Sequence, residues 1–158
     1  MSLPSSQRRS DFRHFQVIPT RWMDNDIYGH VNNVHYYSYF DTAVNQFLIE
    51  HGVLDIHHGS VVGFVVDTAC SFFKPMAFPD QVHAGIRVAH VGNSSVRYEL
   101  GLFRNDDAQI AAAGHFTHVY VDRASSRPVA VPPAVRAVLV PLHMDGPAER
   151  PDMTRRIC

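Results

Sequence analysis

Apolar and polar positions alternate with period two in five stretches of this chain, and with a helical period in one. Residues 12–18 (FRHFQVI) predict a first strand, closed by Pro19, which has no N–H to give to a ladder. A polar, glycine-containing segment fills 20–33. From about 33 to 51 the spacing changes: Tyr37, Phe40, Val44, Phe47 and Leu48 recur as one face of a helix. Tyr36, Tyr39 and Ala43 widen that face, and Ser38, Asp41, Thr42, Asn45 and Gln46 form its polar side. Asn32 or Asn33 serves as the starting cap, and Gly52 ends the helix.

The alternation returns over 61–74, where Val62, Phe64, Val66, Thr68, Cys70 and Phe72 share one face until Lys74-Pro75. It continues over 81–91, 96–104 and 108–122, with Gly92-Asn93-Ser94-Ser95 and Asn105-Asp106-Asp107 as turns. Long strands joined by tight turns predict an antiparallel meander. A short helix is expected at about 133–140, with Pro132 and Pro133 near its first turn. Residues 1–10 are expected to be frayed, 11–140 to form one domain, and 141–158 to be a loose tail, because six of the ten prolines lie beyond residue 127. One helix and one sheet, each with a single apolar face, must cover each other, which predicts an α+β domain with the helix on the concave side of a curved sheet. Small apolar residues on the second faces (Val61, Val65, Ala69, Ala111, Ala113, Val119) point to cover by a second subunit.

Composition narrows the class. The net charge is −1 from 14 basic and 15 acidic residues, so nucleic acid is not an expected partner. Lys74 is the single lysine, and the histidines number eleven. Two cysteines, Cys70 and Cys158, exclude a disulfide framework and fit a reducing, cytoplasmic setting. No apolar run reaches the ~20 residues that cross a bilayer, and the N-terminus does not read as a secretory signal. The histidines match no zinc spacing: His115 and His118 point to opposite faces of a strand, and His57-His58 is a loop pair. No metal is expected. Cys70 reads as a core residue, and no serine-hydrolase elbow, phosphate loop or dinucleotide fingerprint occurs.

The chemistry concentrates in residues 21–41, RWMDNDIYGHVNNVHYYSYFD. Taken singly, Asp24, Asn25, Asp26, Gly29, Asn32 and Asn33 are ordinary loop and cap residues. Together they set a carboxylate a few residues before a long buried helix. The first turn of such a helix carries unpaired N–H groups and a partial positive charge, a place where a polarised carbonyl oxygen binds. A carboxylate beside it can act on the carbonyl carbon or on a water, which makes an acyl-transfer site.

This stretch resembles the signature of the hotdog-fold acyl-CoA thioesterases of the 4-hydroxybenzoyl-CoA type: Asp24-Asn25-Asp26, then Gly29-His30-Val31-Asn32-Asn33, then Tyr36 and Tyr39-Phe40-Asp41. The predicted strand–helix–four-strand order is also the hotdog order, and the likeness covers about residues 12–122. The resemblance implies that Asp26 is the catalytic carboxylate, as nucleophile or general base, and that the backbone N–H of Asn33 polarises the thioester carbonyl. It implies tight passage at Gly29, a structural role for Asp24 and an interface role for Asp41. His30 is either a contact to the thioester or a loop hydrogen-bonding group. Tyr36 and the turn Gly92, Asn93, Ser94 and Ser95 are the implied substrate contacts, the small turn residues letting a pantetheine arm pass. The basic cluster that the family prototype carries near this turn is missing, so phosphate contacts fall to arginines such as Arg97 or Arg104, or to a neighbouring subunit. No cofactor is implied, since coenzyme A is part of the substrate. The expected partner is a second copy, as a dimer or a pair of dimers with the site at the interface. A hotdog dehydratase or hydratase, and a non-catalytic acyl-thioester binding domain, are the alternative readings.

Overall fold

A computed structural model describes residues 6–144. Five strands and two α-helices are present among them: β1 (His14–Pro19), α1 (Val34–Glu50), β2 (Val61–Phe72), β3 (Gln81–Val91), β4 (Ser95–Arg104), β5 (Ile110–Asp122) and α2 (Pro133–Leu139). All pairings are antiparallel, and the curved sheet has the order β1-β3-β4-β5-β2. No described helix is long and apolar enough to cross a membrane.

The expected meander therefore holds only for β3, β4 and β5. Strand β2 pairs with β5 at the far edge instead of with β3, so residues 73–80 carry the chain from one edge strand to the interior of the sheet. Alternation reports which face a residue takes and says nothing about which strand lies beside it. The expected face of β2 is also split. The register slips between Val65 and Asp67, which leaves Val66 as a bulge residue and reverses the parity of the strand. Val61 and Cys70 both pack against the core, although alternation had set them on opposite faces.

Helix α1 lies against β1 and β3 with Tyr36, Tyr39, Phe40, Ala43, Val44, Phe47 and Leu48 buried. Tyr37 departs from the expected face and is 41% exposed. The buried stripe runs i, i+3, i+4, i+7, and Tyr37 sits one step off it. Gly114 on β5 makes room for the ring of Phe40, since a Cβ there would meet that ring and the Ala69 carbonyl. The main core fills the space between α1 and the sheet, closed by Val131, Val135, Leu139 and Leu142.

The opposite sheet face carries a smaller cluster of Phe12, Phe103 and Ile110, with Phe12 lying over Gly85 and Gly101. This changes the expectation for residues 6–10. Arg9 donates to the carbonyls of Asp107 and Asn105, and its guanidinium lies 4.9 Å from the Phe103 ring centroid. Residues 9–11 form a 3-10 turn, and the segment is tied to the sheet. Residues 141–144 of the expected tail are likewise packed, with Leu142 buried and Met144 N–H donating to the Val88 carbonyl. The expectations for 1–5 and 145–158 lie outside the described residues.

Candidate active site

Asp24 is the anchor of the segment. It is 0% exposed and accepts hydrogen bonds from the Arg21 N–H (2.9 Å), the Arg21 Nε (2.9 Å) and the Tyr39 hydroxyl (2.8 Å). Burial alone would raise its carboxyl, but the hydrogen bonds from Arg21 and Tyr39 and the guanidinium charge outweigh that and hold it below the usual range. With its acceptor sites so occupied, Asp24 ties the loop to α1, as its expected structural role requires. Its own carbonyl receives the Asn32 N–H at 2.8 Å, which fastens the loop to the helix start.

Asp26 begins a tight turn. The Gly29 N–H donates to the Asp26 carbonyl at 3.0 Å, and the Asp26 N–H donates to the His30 carbonyl at 2.9 Å. Gly29 adopts φ +83°, the left-handed conformation that lets a three-residue loop close in this way. One carboxylate oxygen of Asp26 accepts the Tyr28 N–H at 2.8 Å, and no hydrogen bond among the described residues uses the other. Asp26 is half-buried. Its loop is pinned from below, because the Val31 N–H donates to the Met76 carbonyl and the Phe78 N–H donates to Asn25 Oδ1.

Asn33 is the residue before α1, with helical angles (φ −54°, ψ −28°) and no side-chain cap bond. Asn32 supplies a local cap instead, its Oδ1 accepting the Val34 N–H at 3.2 Å. Among the described residues no acceptor takes the Asn33 N–H, which is exposed at the positive end of a 17-residue helix. Asn33 lines a cleft of about 300 Å³ together with His30, Val31, Tyr36, Phe72, Phe73, Lys74 and Pro75. Tyr36 and Phe72 meet edge to face, with ring centroids 4.8 Å apart. Burial pushes the Tyr36 hydroxyl up to about 12 and the Cys70 thiol up to about 12, so both stay protonated and Cys70 is not a thiolate nucleophile.

The structure thus brings His30, Asn33 and Tyr36 to one cleft and sets the Asp26 and Gly29 turn directly before it. It does not bring the Gly92, Asn93, Ser94 and Ser95 turn there within one subunit. Asp26 sits at the β3 start, where Pro19 pairs Gln81 and the Thr20 N–H meets the Asp80 carbonyl. The turn lies at the other end of β3, eleven residues on, a separation of roughly 30 Å at ~3.3 Å per residue. There the Gly92 carbonyl takes the Arg136 guanidinium, and the carbonyls of Asn93 and Ser94 take the N–H groups of Val131 and Tyr120. Arg104 is paired with Asp80 at 3.0 Å, and Asp41 stands exposed on α1. Sequence reasoning missed Phe73 and Lys74 as cleft residues. Their only visible signal was the end of a strand before Pro75.

Residues 20–139 match the model of the thioesterase-like superfamily. Among solved structures, the PA5185 protein of Pseudomonas aeruginosa is 55% identical, with a TM-score of 0.86 over 89% of this chain and 98% of that one. The PA2801 protein of the same organism, which carries a provisional thioesterase assignment, is 31% identical with a TM-score of 0.75 over 80% of this chain and 97% of that one. A DHNA-CoA thioesterase from Staphylococcus aureus shares the fold at 17% identity, with a TM-score of 0.68 over 73% of this chain and 78% of that one. No curated protein matches the sequence.

Proposed function

Because the chain belongs to the thioesterase-like superfamily, we propose that it hydrolyses an acyl-CoA thioester to the free acid and coenzyme A, with Asp26 as the reacting carboxylate. The observation that carries this reading is the unpaired N–H of Asn33 at the helix start, on a residue that lines the cleft just after the Asp26 turn. A thioester oxygen seated on that N–H has its carbonyl polarised, and the helix dipole favours the negative charge that grows there. As general base, Asp26 takes a proton from water, the hydroxide adds to the carbonyl carbon, and the C–S bond breaks to release the thiolate. As nucleophile, its carboxylate adds to the carbonyl carbon, the C–S bond breaks to expel the thiolate, and water then hydrolyses the resulting anhydride to free the acid and Asp26. Its unengaged oxygen serves either route, while the Tyr28 N–H holds the other in place. Oxyanion donors of this kind contribute ~10²–10³ in rate and a positioned base ~10²–10⁴. The reaction so read needs no cofactor beyond the coenzyme A of the substrate, and a reducing cytoplasm suits it.

A homodimer belongs to the proposal. Strand β2 offers a free edge and exposes Phe64, Val65, Val66 and Phe72. Antiparallel pairing of β2 with a second copy sets the Val61 end of one subunit against the Phe72 end of the other. The Gly92–Ser95 turn belongs to the Val61 end, since Val61 pairs Asp122 and Ser94 meets Tyr120. Dimerisation therefore carries the partner's turn toward this cleft, which supports a pantetheine path shared between subunits, and dimers pair again by the same logic of covered faces. The test is thiol release from a panel of acyl-CoAs by the wild type and Asp26→Ala. Release that falls by at least ~10²-fold in the variant, with the fold intact, supports the mechanism. Undiminished release overturns it, and enoyl-thioester hydration without thiol release would replace hydrolysis with a hydratase reading.

A further inference from the structure

Lys74 is the only lysine of the chain, and it lines the same cleft as Asn33. The other lining groups are apolar or aromatic, apart from His30 and Asn33, and no carboxylate lines the cleft. Lys74 is also placed by more than its own stem. The N–H groups of Phe73 and Lys74 both donate to the Ala111 carbonyl, at 2.8 and 3.0 Å, and Pro75 follows. Its ammonium donates to Asp107 Oδ2 at 3.0 Å. Asp107 is itself fixed from both sides of its peptide, its N–H donating to the Arg104 carbonyl and its own carbonyl accepting Arg9 Nε. A cation fixed this way on a residue that lines an aromatic cleft is a recognition group for an anion bound there.

The ion pair does not lock the ammonium away. Both side chains are about a third exposed (33% and 39%), and pairs in that setting contribute roughly 0–1 kcal/mol. A ligand anion can share or replace Asp107 at little cost. The cleft of about 300 Å³ has room for a thioester and a short acyl group, and none for a nucleotide at the end of a pantetheine arm. The ammonium of a lining residue therefore serves the acyl end of the substrate and not the coenzyme A phosphates.

Resting on the thioesterase reading above, we infer that Lys74 selects acyl groups that end in a carboxylate, such as short dicarboxylic monothioesters. Tyr36 and Phe72 of the lining take the methylene chain, and the ammonium takes the terminal carboxylate.

The experiment compares kcat/KM for succinyl-CoA against butyryl-CoA, and for glutaryl-CoA against pentanoyl-CoA, in the wild type, Lys74→Met, Lys74→Glu and Asp107→Asn. The pairs match in chain length and differ in the terminal charge. The wild type is expected to prefer the charged member of at least one pair by ~10-fold or more, the size of a hydrogen bond to a charged group. Lys74→Met is expected to abolish that preference, and Lys74→Glu to reverse it. Asp107→Asn frees the ammonium and is expected to keep or raise the preference. Thiol release from the uncharged members with no preference in the wild type overturns this inference alone. So does an equal loss on both members in both Lys74 variants, which is the signature of a structural lysine. Absence of thiol release from every acyl-CoA overturns the thioesterase reading itself.

Discussion

His118 makes acid the sharpest probe of this core. Its ring is 3% exposed, stacked among Tyr98, Phe116 and Tyr120, and its Nδ1 has no hydrogen-bond partner among the described residues. Gly63 on the neighbouring strand leaves the space that Nδ1 occupies, a Cβ there being 3.0 Å from it. Burial without a partner disfavours the imidazolium and pulls the group from 6.5 down to about 4. The folded protein therefore refuses a proton that the unfolded chain accepts. Below pH 6.5 the unfolded state gains that proton first, so stability is lost as the pH falls from 6.5 to 4 and levels off below. Between pH 7.5 and 4.5 the loss from this one residue is about 2.5 kcal/mol, from a shift of about 2.5 units at ~1.36 kcal/mol each, less the part not yet titrated. His118→Phe keeps an aromatic ring and removes the proton. Urea unfolding of both proteins at the two pH values, at equal protein concentration, isolates the term, because carboxylates and His14 titrate alike in both. The wild type is expected to lose about 2.5 kcal/mol more than the variant. Equal losses, or an imidazole resonance of His118 that titrates near pH 6.5, would refute the reasoning.

Three further changes test other parts of the structure. Asp24→Ala leaves the Tyr39 hydroxyl and the Arg21 N–H without their buried acceptor and is expected to cost about 3 kcal/mol or more in denaturant melts, since removing one partner strands the rest. Gly29→Ala keeps open space around the new methyl but forces a left-handed alanine. It is expected to cost about 1–2 kcal/mol, read as a lower Tm with the fold unchanged by circular dichroism. Val66→Lys sets a charge at the exposed β2 bulge and is expected to shift the protein toward monomer in light scattering and to lower thiol release with it; an active monomer would contradict the shared site.

The elements were legible because period, cap and turn chemistry are local. Helix α1 and the four long strands fall within a few residues of their predicted bounds, and Gly52 ends the helix with φ +70°. What local pattern cannot carry is the choice of neighbour. A strand followed by an eight-residue connection looks the same whether it pairs with the next strand or crosses to the far edge, as β2 does. The bulge at Val66 is similarly silent, since Val-Val-Asp alternates no worse with the register slip than without it. The site divides along the same line. Asp26, Gly29, His30 and Asn33 lie within eight residues, so one motif carries them. Lys74 reaches the cleft through contacts far along the chain, since its N–H bonds to the Ala111 carbonyl and the Val31 N–H bonds to Met76 across 45 positions.

The turn at Gly92–Ser95 shows where a single chain stops being the right unit. Its carbonyls accept from Arg136 of α2, from Val131 just before that helix and from Tyr120 of β5, and a whole strand separates it from Asp26. If the turn meets substrate at all, it does so in another subunit. The exposed apolar positions of β2 say the same thing by a different route, since Phe64, Val65 and Val66 stand in water on an unpaired edge that invites a strand. The proposed dimer answers both features with one operation, the antiparallel pairing of two β2 strands, which would cover the edge and carry the partner's turn toward the cleft. The helix start and its carboxylate are local features of one subunit, whereas in the proposed dimer the path for coenzyme A belongs to the pair.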